Sequence, residues 1–87
     1  MSAVTVYSTP NCQGCRATKR KLDAAQIPYQ EVTASDSLEL TETIKARAAE
    51  LGTPAAMPYV TIYDESNNLI ADWFAFRPDL INQHLID

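Results

Sequence analysis

Cysteine, glycine, histidine and cationic side chains are all scarce in this 87-residue sequence, and no long apolar run interrupts it. Each shortage removes a class of protein. Two cysteines cannot build a disulfide scaffold, because small secreted folds are held by several bridges that close long loops. With 2 glycines and 5 prolines against 46% hydrophobic residues, the chain is too apolar to stay disordered. No stretch approaches the ~18 consecutive apolar residues of a membrane span. Basic side chains number 7 against 11 acidic ones, and the net charge of −4 argues against bulk attraction to nucleic acid or to an anionic membrane. The segment Met1 to Tyr7 has neither the cationic stretch nor the apolar core of an export signal, so a reducing cytoplasm is the expected location. A chain this short buries only about 60–65% of its unfolded surface, which predicts one domain over residues 1–87 and no large enclosed substrate cavity.

What is present reads as alternating strands and helices. Ala3 to Tyr7 alternates β-forming residues and stops at the turn-rich Ser8-Thr9-Pro10-Asn11. From about Cys12 to Ala25 the period becomes helical, with Cys15, Thr18, Leu22 and Ala25 on one face. Ile27-Pro28 ends that helix, and Tyr29 to Val32 completes a β-α-β unit with parallel strands. Asp36 and Glu39 form a capping-box-like start for a second helix, with Ser35 and Ser37 as competing caps. Leu40, Ile44, Ala48 and Leu51 make its apolar stripe, and Gly52 follows its end. After a two-proline loop, Tyr59 to Tyr63 and Leu69 to Trp73 predict an antiparallel hairpin around Asp64 to Asn68. Pro78 suits the first position of a last helix, with Asp79 in its first turn and Leu80, Ile81 and Leu85 facing inward. The order β-α-β-α-β-β-α predicts an α/β fold, a four-stranded mixed sheet flanked by helices on both faces.

The two cysteines stand in one motif, Cys12-Gln13-Gly14-Cys15, where the first strand gives way to the first helix. A bridge across two residues restrains almost none of the unfolded chain, so its use is chemical. At a helix N-terminus, unpaired N–H groups and the macrodipole stabilise a Cys12 thiolate. Positions i and i+3 face one another at ~5–6 Å between Cβ atoms, so Cys15 can close onto Cys12. Cys12 can therefore attack a target disulfide, and Cys15 can resolve the mixed disulfide. Zinc or an iron–sulfur cluster needs more ligands than this. There is no second cysteine pair, and the one histidine, His84, lies at the far end as an expected exposed helix-end side chain. A site shared across a dimer through Cys12 and Cys15 is the remaining metal reading.

Arg16, Lys19, Arg20 and Lys21 are the one dense basic run. They are either a solvated helix face, or Arg16, Lys19 and Arg20 add positive potential beside the thiols and steer an acidic partner. Met57-Pro58 invites a cis reading, which local sequence supports only at the ordinary low frequency of such bonds. Trp73, Phe74 and Phe76 cannot all face one core in a strand of period two, so at least one is expected at the surface or at a contact.

Three segments together resemble the glutaredoxin-like NrdH-redoxins. They are Val6-Tyr7-Ser8-Thr9-Pro10-Asn11-Cys12-Gln13-Gly14-Cys15-Arg16-Ala17-Thr18-Lys19, Met57-Pro58-Tyr59-Val60, and Trp73-Phe74-Ala75-Phe76-Arg77-Pro78-Asp79. The dithiol alone is generic to the thioredoxin superfamily; the Phe-Arg-Pro-Asp ending after a tryptophan is the more specific mark. The resemblance implies a thioredoxin fold, Cys12 as nucleophile, Cys15 as resolving thiol, and Pro58 as a cis-proline facing them beside Met57. It also implies electrons taken from a thioredoxin-reductase-type flavoprotein and passed to a class Ib ribonucleotide reductase, in support of deoxyribonucleotide synthesis. No cofactor beyond the redox-active pair is implied, and a monomer is expected.

Carried over by position, Trp73, Phe76, Arg77 and Asp79 shape the surface beside the dithiol. The sequence also departs from the family. Thr9 stands where a lysine is frequent, leaving Arg16 or Lys19 to supply the positive charge. Gln13-Gly14 fills the motif, and Gly14 costs roughly 1 kcal/mol of helix propensity relative to alanine. Phe74-Ala75 stands in place of Ser-Gly, where glutathione-using glutaredoxins have Gly-Gly, so side chains there are expected to obstruct glutathione. A glutathione-dependent glutaredoxin and a dimeric metal-binding module remain the alternatives.

Overall fold

The computed structural model describes residues 2–86. Its elements follow the predicted order: β1 Ala3–Ser8, α1 Gln13–Ala24, β2 Gln30–Thr33, α2 Leu38–Leu51, β3 Tyr59–Tyr63, β4 Leu69–Phe74 and α3 Pro78–Ile81. A 3-10 turn at Ala34–Asp36 precedes α2, and a π turn at Asn82–Ile86 continues α3. The four strands form one mixed sheet in the order β2-β1-β3-β4, with β1 parallel to β2 and antiparallel to β3, and β3 antiparallel to β4.

The central strand β3 is paired on both edges and covered on both faces, which is why its sequence reads as an almost unbroken β-forming run. Val60 and Ile62 point to one side, where they pack with Val4, Val6, Leu22 of α1, Trp73 and Ile81 of α3. Tyr59 points to the other, where it joins Phe74, Ala34, and Ile44 and Ala48 of α2. Helices therefore cover both faces, as expected, with α1 and α3 on one and α2 on the other.

Two details of α2 differ from the sequence reading. Its cap is Ser37, whose hydroxyl accepts a hydrogen bond from the Leu40 N–H at 3.2 Å. Asp36 is instead taken up in the preceding 3-10 turn. Leu51 lies at the helix end, exposed, just before Gly52 adopts the left-handed conformation with φ 69°.

A polar clamp joins α2 to the hairpin. Asp72 accepts hydrogen bonds from Arg47 Nε at 2.7 Å, Arg47 Nη2 at 3.1 Å and the Tyr59 hydroxyl at 2.7 Å. Its side chain is only 7% exposed, so the carboxylate depends on these partners for what water would otherwise supply. Burial and the bond to Asp72 raise the pKa of Tyr59 and keep its hydroxyl a donor.

Candidate active site

The end of β1 delivers the chain into Thr9-Pro10-Asn11, where Asn11 takes a left-handed φ of 58° and turns the backbone into α1. Cys12 is the N-cap, in extended conformation, and its sulfur accepts a hydrogen bond from the Cys15 N–H at 3.1 Å. Cys12 and Cys15 are joined as a disulfide, with their Cα atoms 5.2 Å apart. The two sulfurs differ in access. Cys15 is 2% exposed, beneath the first helical turn, whereas Cys12 is partly exposed at the helix mouth.

Opposite this pair runs the loop before β3. The Met57-Pro58 peptide bond is cis, and Cys12 Sγ lies 3.6 Å from the Met57 carbonyl oxygen. Gly14 explains how the loop comes so near. A Cβ at Gly14 would stand 3.1 Å from Met57 O and 3.3 Å from Pro58 Cδ. The glycine thus permits close contact between the motif and the proline loop, which its helix propensity alone does not reveal.

A third segment, between β4 and α3, completes the rim. The Ala75 N–H donates to both Ala56 O and Pro58 O at 2.9 Å, tying this segment to the proline loop. Ala75 does so at φ 70°, a region that costs a non-glycine residue roughly 1–2 kcal/mol. Ala75→Gly is therefore expected to stabilise the protein by roughly 0.5–1 kcal/mol, after the larger unfolded-state entropy of glycine is set against the relieved strain. Urea unfolding midpoints measure this, and an unchanged or lower midpoint contradicts it.

The aromatic cluster divides three ways. Phe76 is exposed at the rim, beside the exposed Arg77–Asp79 ion pair at 2.9 Å. Trp73, placed at the surface by family position, is instead a core residue, 4% exposed, with its ring stacked on His84 at 6.1 Å between centroids. Phe74 does not project toward a ligand either. It turns to the opposite face and stacks on Tyr59 at 4.6 Å, because successive residues of a strand alternate. Only the Ala75 Cβ remains of the expected obstruction.

Charge beside the dithiol also differs from expectation. Lys19 Nζ donates to Glu31 at 2.7 Å, and the same carboxylate accepts from the Ser8 hydroxyl at 2.9 Å. These bonds lower the pKa of Glu31. Lys19 is thus largely balanced, and Arg16 on the same wall is left as the cation next to the motif. An open polar hollow of about 310 Å³ lies on this side, lined by Cys12, Cys15, Arg16, Lys19 and Glu31. A separate apolar hollow of about 210 Å³, which neither cysteine lines, is bordered by Ala34, Ile44, Ala55 and Met57. No group of three or more His, Cys, Asp or Glu side chains that could hold a metal ion occurs among the described residues.

Sequence reasoning missed Glu31 as the partner of Lys19, the strained Ala75, and the Arg47–Asp72–Tyr59 clamp. Asp72 left a trace, as a carboxylate in a strand otherwise made of apolar residues, and Ala75 left one by standing where the resemblance puts a glycine.

Comparison with known proteins agrees with this geometry. The glutaredoxin family model matches residues 4–65. The glutaredoxin-like protein NrdH of Salmonella typhimurium is 28% identical over 81 residues, covering 93% of this chain and 86% of that protein. The glutaredoxin-like protein NrdH of Escherichia coli is 28% identical over 80 residues, covering 92% of this chain and 85% of the other. Among solved structures, the NrdH-redoxin of Escherichia coli, described for its thioredoxin-like activity profile, superposes with a TM-score of 0.75 at 26% identity over 98% of this chain and 97% of that one. A glutaredoxin of Archaeoglobus fulgidus shares the fold, with a TM-score of 0.70 at 15% identity over 100% of this chain and 89% of the other. With a thioredoxin-like fold, a Cys-x-x-Cys pair at the mouth of α1 and NrdH proteins as relatives along nearly its full length, the chain belongs to the glutaredoxin family.

Proposed function

We propose that this protein is a dithiol electron carrier in which Cys12 is the nucleophile and Cys15 the resolving thiol. The observation that carries the reading is the asymmetry of the two sulfurs. Cys12 is reachable, sits at the helix N-terminus and accepts the Cys15 N–H, whereas Cys15 is buried. An N–H aimed at a sulfur, added to the helix dipole, favours the thiolate that attacks.

Two electrons from a reductant and one proton open the bridge to a Cys12 thiolate and a Cys15 thiol. The thiolate attacks one sulfur of a target disulfide and releases the other as a thiolate. Cys15 then loses its proton and attacks the Cys12 sulfur, the second target sulfur leaves as a thiolate, and the two target thiolates take up that proton and one from solvent to give the dithiol. The hollow that the pair lines is open, which suits docking of a protein disulfide rather than enclosure of a small substrate.

The resemblance to the NrdH-redoxins supports one choice of physiological partners. The reductant is a thioredoxin-reductase-type flavoprotein, the acceptor a class Ib ribonucleotide reductase, and the setting a reducing cytoplasm, with this chain acting as a monomer. Supporting this choice, the Escherichia coli relative is described as thioredoxin-like in activity. Here, too, the Ala75 Cβ occupies backbone that a glycine would leave open. The deciding measurement is NADPH consumption with thioredoxin reductase, set against glutathione with glutathione reductase. Disulfide reduction is expected with the first pair. Turnover sustained by glutathione alone would make the protein a glutathione-dependent glutaredoxin.

A further inference from the structure

Three buried side-chain polar atoms among the described residues have no hydrogen-bond partner: Thr18 Oγ1, Thr61 Oγ1 and Trp73 Nε1. Only Thr18 shares a helix face with the reacting pair. It lies on α1, one turn beyond Cys15, and is 0% exposed. Residues three apart on a helix are neighbours, with Cβ atoms ~5–6 Å apart. A buried hydroxyl without a partner is disfavoured, and a threonine inside a helix ordinarily relieves this by donating to the carbonyl four residues back. Thr41 does so to Ser37 O at 3.0 Å and Thr43 to Glu39 O at 2.9 Å. Thr18 does not, and its hydroxyl is left unpartnered on the buried face of α1, one turn from Cys15.

The sulfur of Cys15 changes character at this place. In the disulfide it is bonded to Cys12 and is a weaker acceptor than a thiolate. After two electrons and one proton enter, the S–S bond is gone, Cys12 is a thiolate, and Cys15 carries a thiol that becomes a thiolate during resolution. We propose that Thr18 is a positioning residue whose hydroxyl donates to the Cys15 sulfur in the reduced protein and has no partner in the oxidised one, so that it raises the reduction potential of the pair. The hydroxyl transfers no proton; it favours one redox state by being satisfied only there. This rests on the reading that Cys12 and Cys15 cycle between dithiol and disulfide.

The test uses Thr18→Val, which keeps the volume and removes the hydroxyl, and Thr18→Ser, which keeps the hydroxyl and removes the methyl. Each is equilibrated with dithiothreitol in defined ratios of its reduced and oxidised forms. Thr18→Val is expected to be more reducing by about tenfold in the equilibrium constant, the worth of one hydrogen bond, equivalent to about 30 mV for a two-electron couple. Thr18→Ser is expected to keep the potential of the parent while losing thermal stability in both redox states. Should valine prevent folding, Thr18→Ala carries the same expected shift. An unchanged potential in the variant without the hydroxyl, or an equal shift in Thr18→Ser, overturns the inference. A parent protein that cannot be titrated reversibly overturns the dithiol reading and this inference with it, whereas a normal titration indifferent to Thr18→Val overturns this inference alone.

Discussion

Cys12→Ser is expected to reduce disulfide turnover to the background rate, a loss of several orders of magnitude, while the folded structure persists. Serine at the helix mouth keeps the N-cap, since its hydroxyl can accept the Cys15 N–H that the sulfur now accepts. It has no thiolate at neutral pH, and the thiolate is the attacking species. Cys15→Ser leaves attack intact and removes resolution. A mixed disulfide through Cys12 is therefore expected to accumulate with a protein target, visible as a covalent adduct by mass spectrometry and released by dithiothreitol. The structure makes these two variants unequal, because a target disulfide can approach the partly exposed Cys12 but not the 2% exposed Cys15. An adduct formed through Cys15 in the Cys12→Ser protein would reverse the assigned roles. The adduct also identifies the acceptor, since peptide mapping of a trapped complex with a ribonucleotide reductase shows which of its cysteines was attacked.

The position of this chemistry was legible in the sequence because it is local. A strand, a turn and a helix start within a few residues fix where Cys12 and Cys15 lie, and helical spacing brings them together. The order of elements was legible for the same reason, period two and period 3.6 being properties of short windows. What failed to show depended on contacts between distant segments. Lys19 reads as a free cation beside the thiols, yet Glu31 on the neighbouring strand accepts from it. The cap of α2 could be placed on Asp36, Ser35 or Ser37, since all three side chains are competent. The 3-10 turn at Ala34–Asp36 left Ser37 as the cap. Family position puts Trp73 at the surface near the dithiol, and the departure at Phe74 reads as an obstruction to glutathione, although the alternation of β4 sends the two rings into opposite cores. The strain at Ala75 left only an indirect signature, the glycine that the family resemblance puts at this position: it reads as room for a ligand, whereas the φ of 70° shows a backbone conformation that alanine seldom adopts.

Asp72→Ala is expected to lower stability by about 2–3 kcal/mol, because it removes a buried acceptor of three hydrogen bonds, two of them from a guanidinium, and strands the Tyr59 hydroxyl. For a domain of this size the loss corresponds to a fall in Tm of roughly 10–20 °C. The clamp grips both strands that lead to the site: Tyr59 directly follows Pro58, and Asp72 lies three residues before Ala75. Its contribution depends on pH in a direction the geometry fixes. The Arg47 guanidinium, then the Tyr59 hydroxyl, hold the Asp72 carboxyl below its usual range, against the opposing effect of burial. A carboxyl with a lowered folded-state pKa contributes its full stability above the unfolded value of about 4, and loses it as pH falls through the folded value. The gap in urea midpoint between the parent and Asp72→Asn, which keeps the volume and removes the charge, is therefore expected to be widest at neutral pH and to narrow progressively below pH of about 4. Glu31, Asp64 and Asp79 also have lowered pKa values and soften the parent in acid, but they are common to both proteins and cancel in the difference. A gap as wide at pH of about 3 as at neutrality would mean that Asp72 acts through shape and hydrogen bonding, and that its charge contributes nothing.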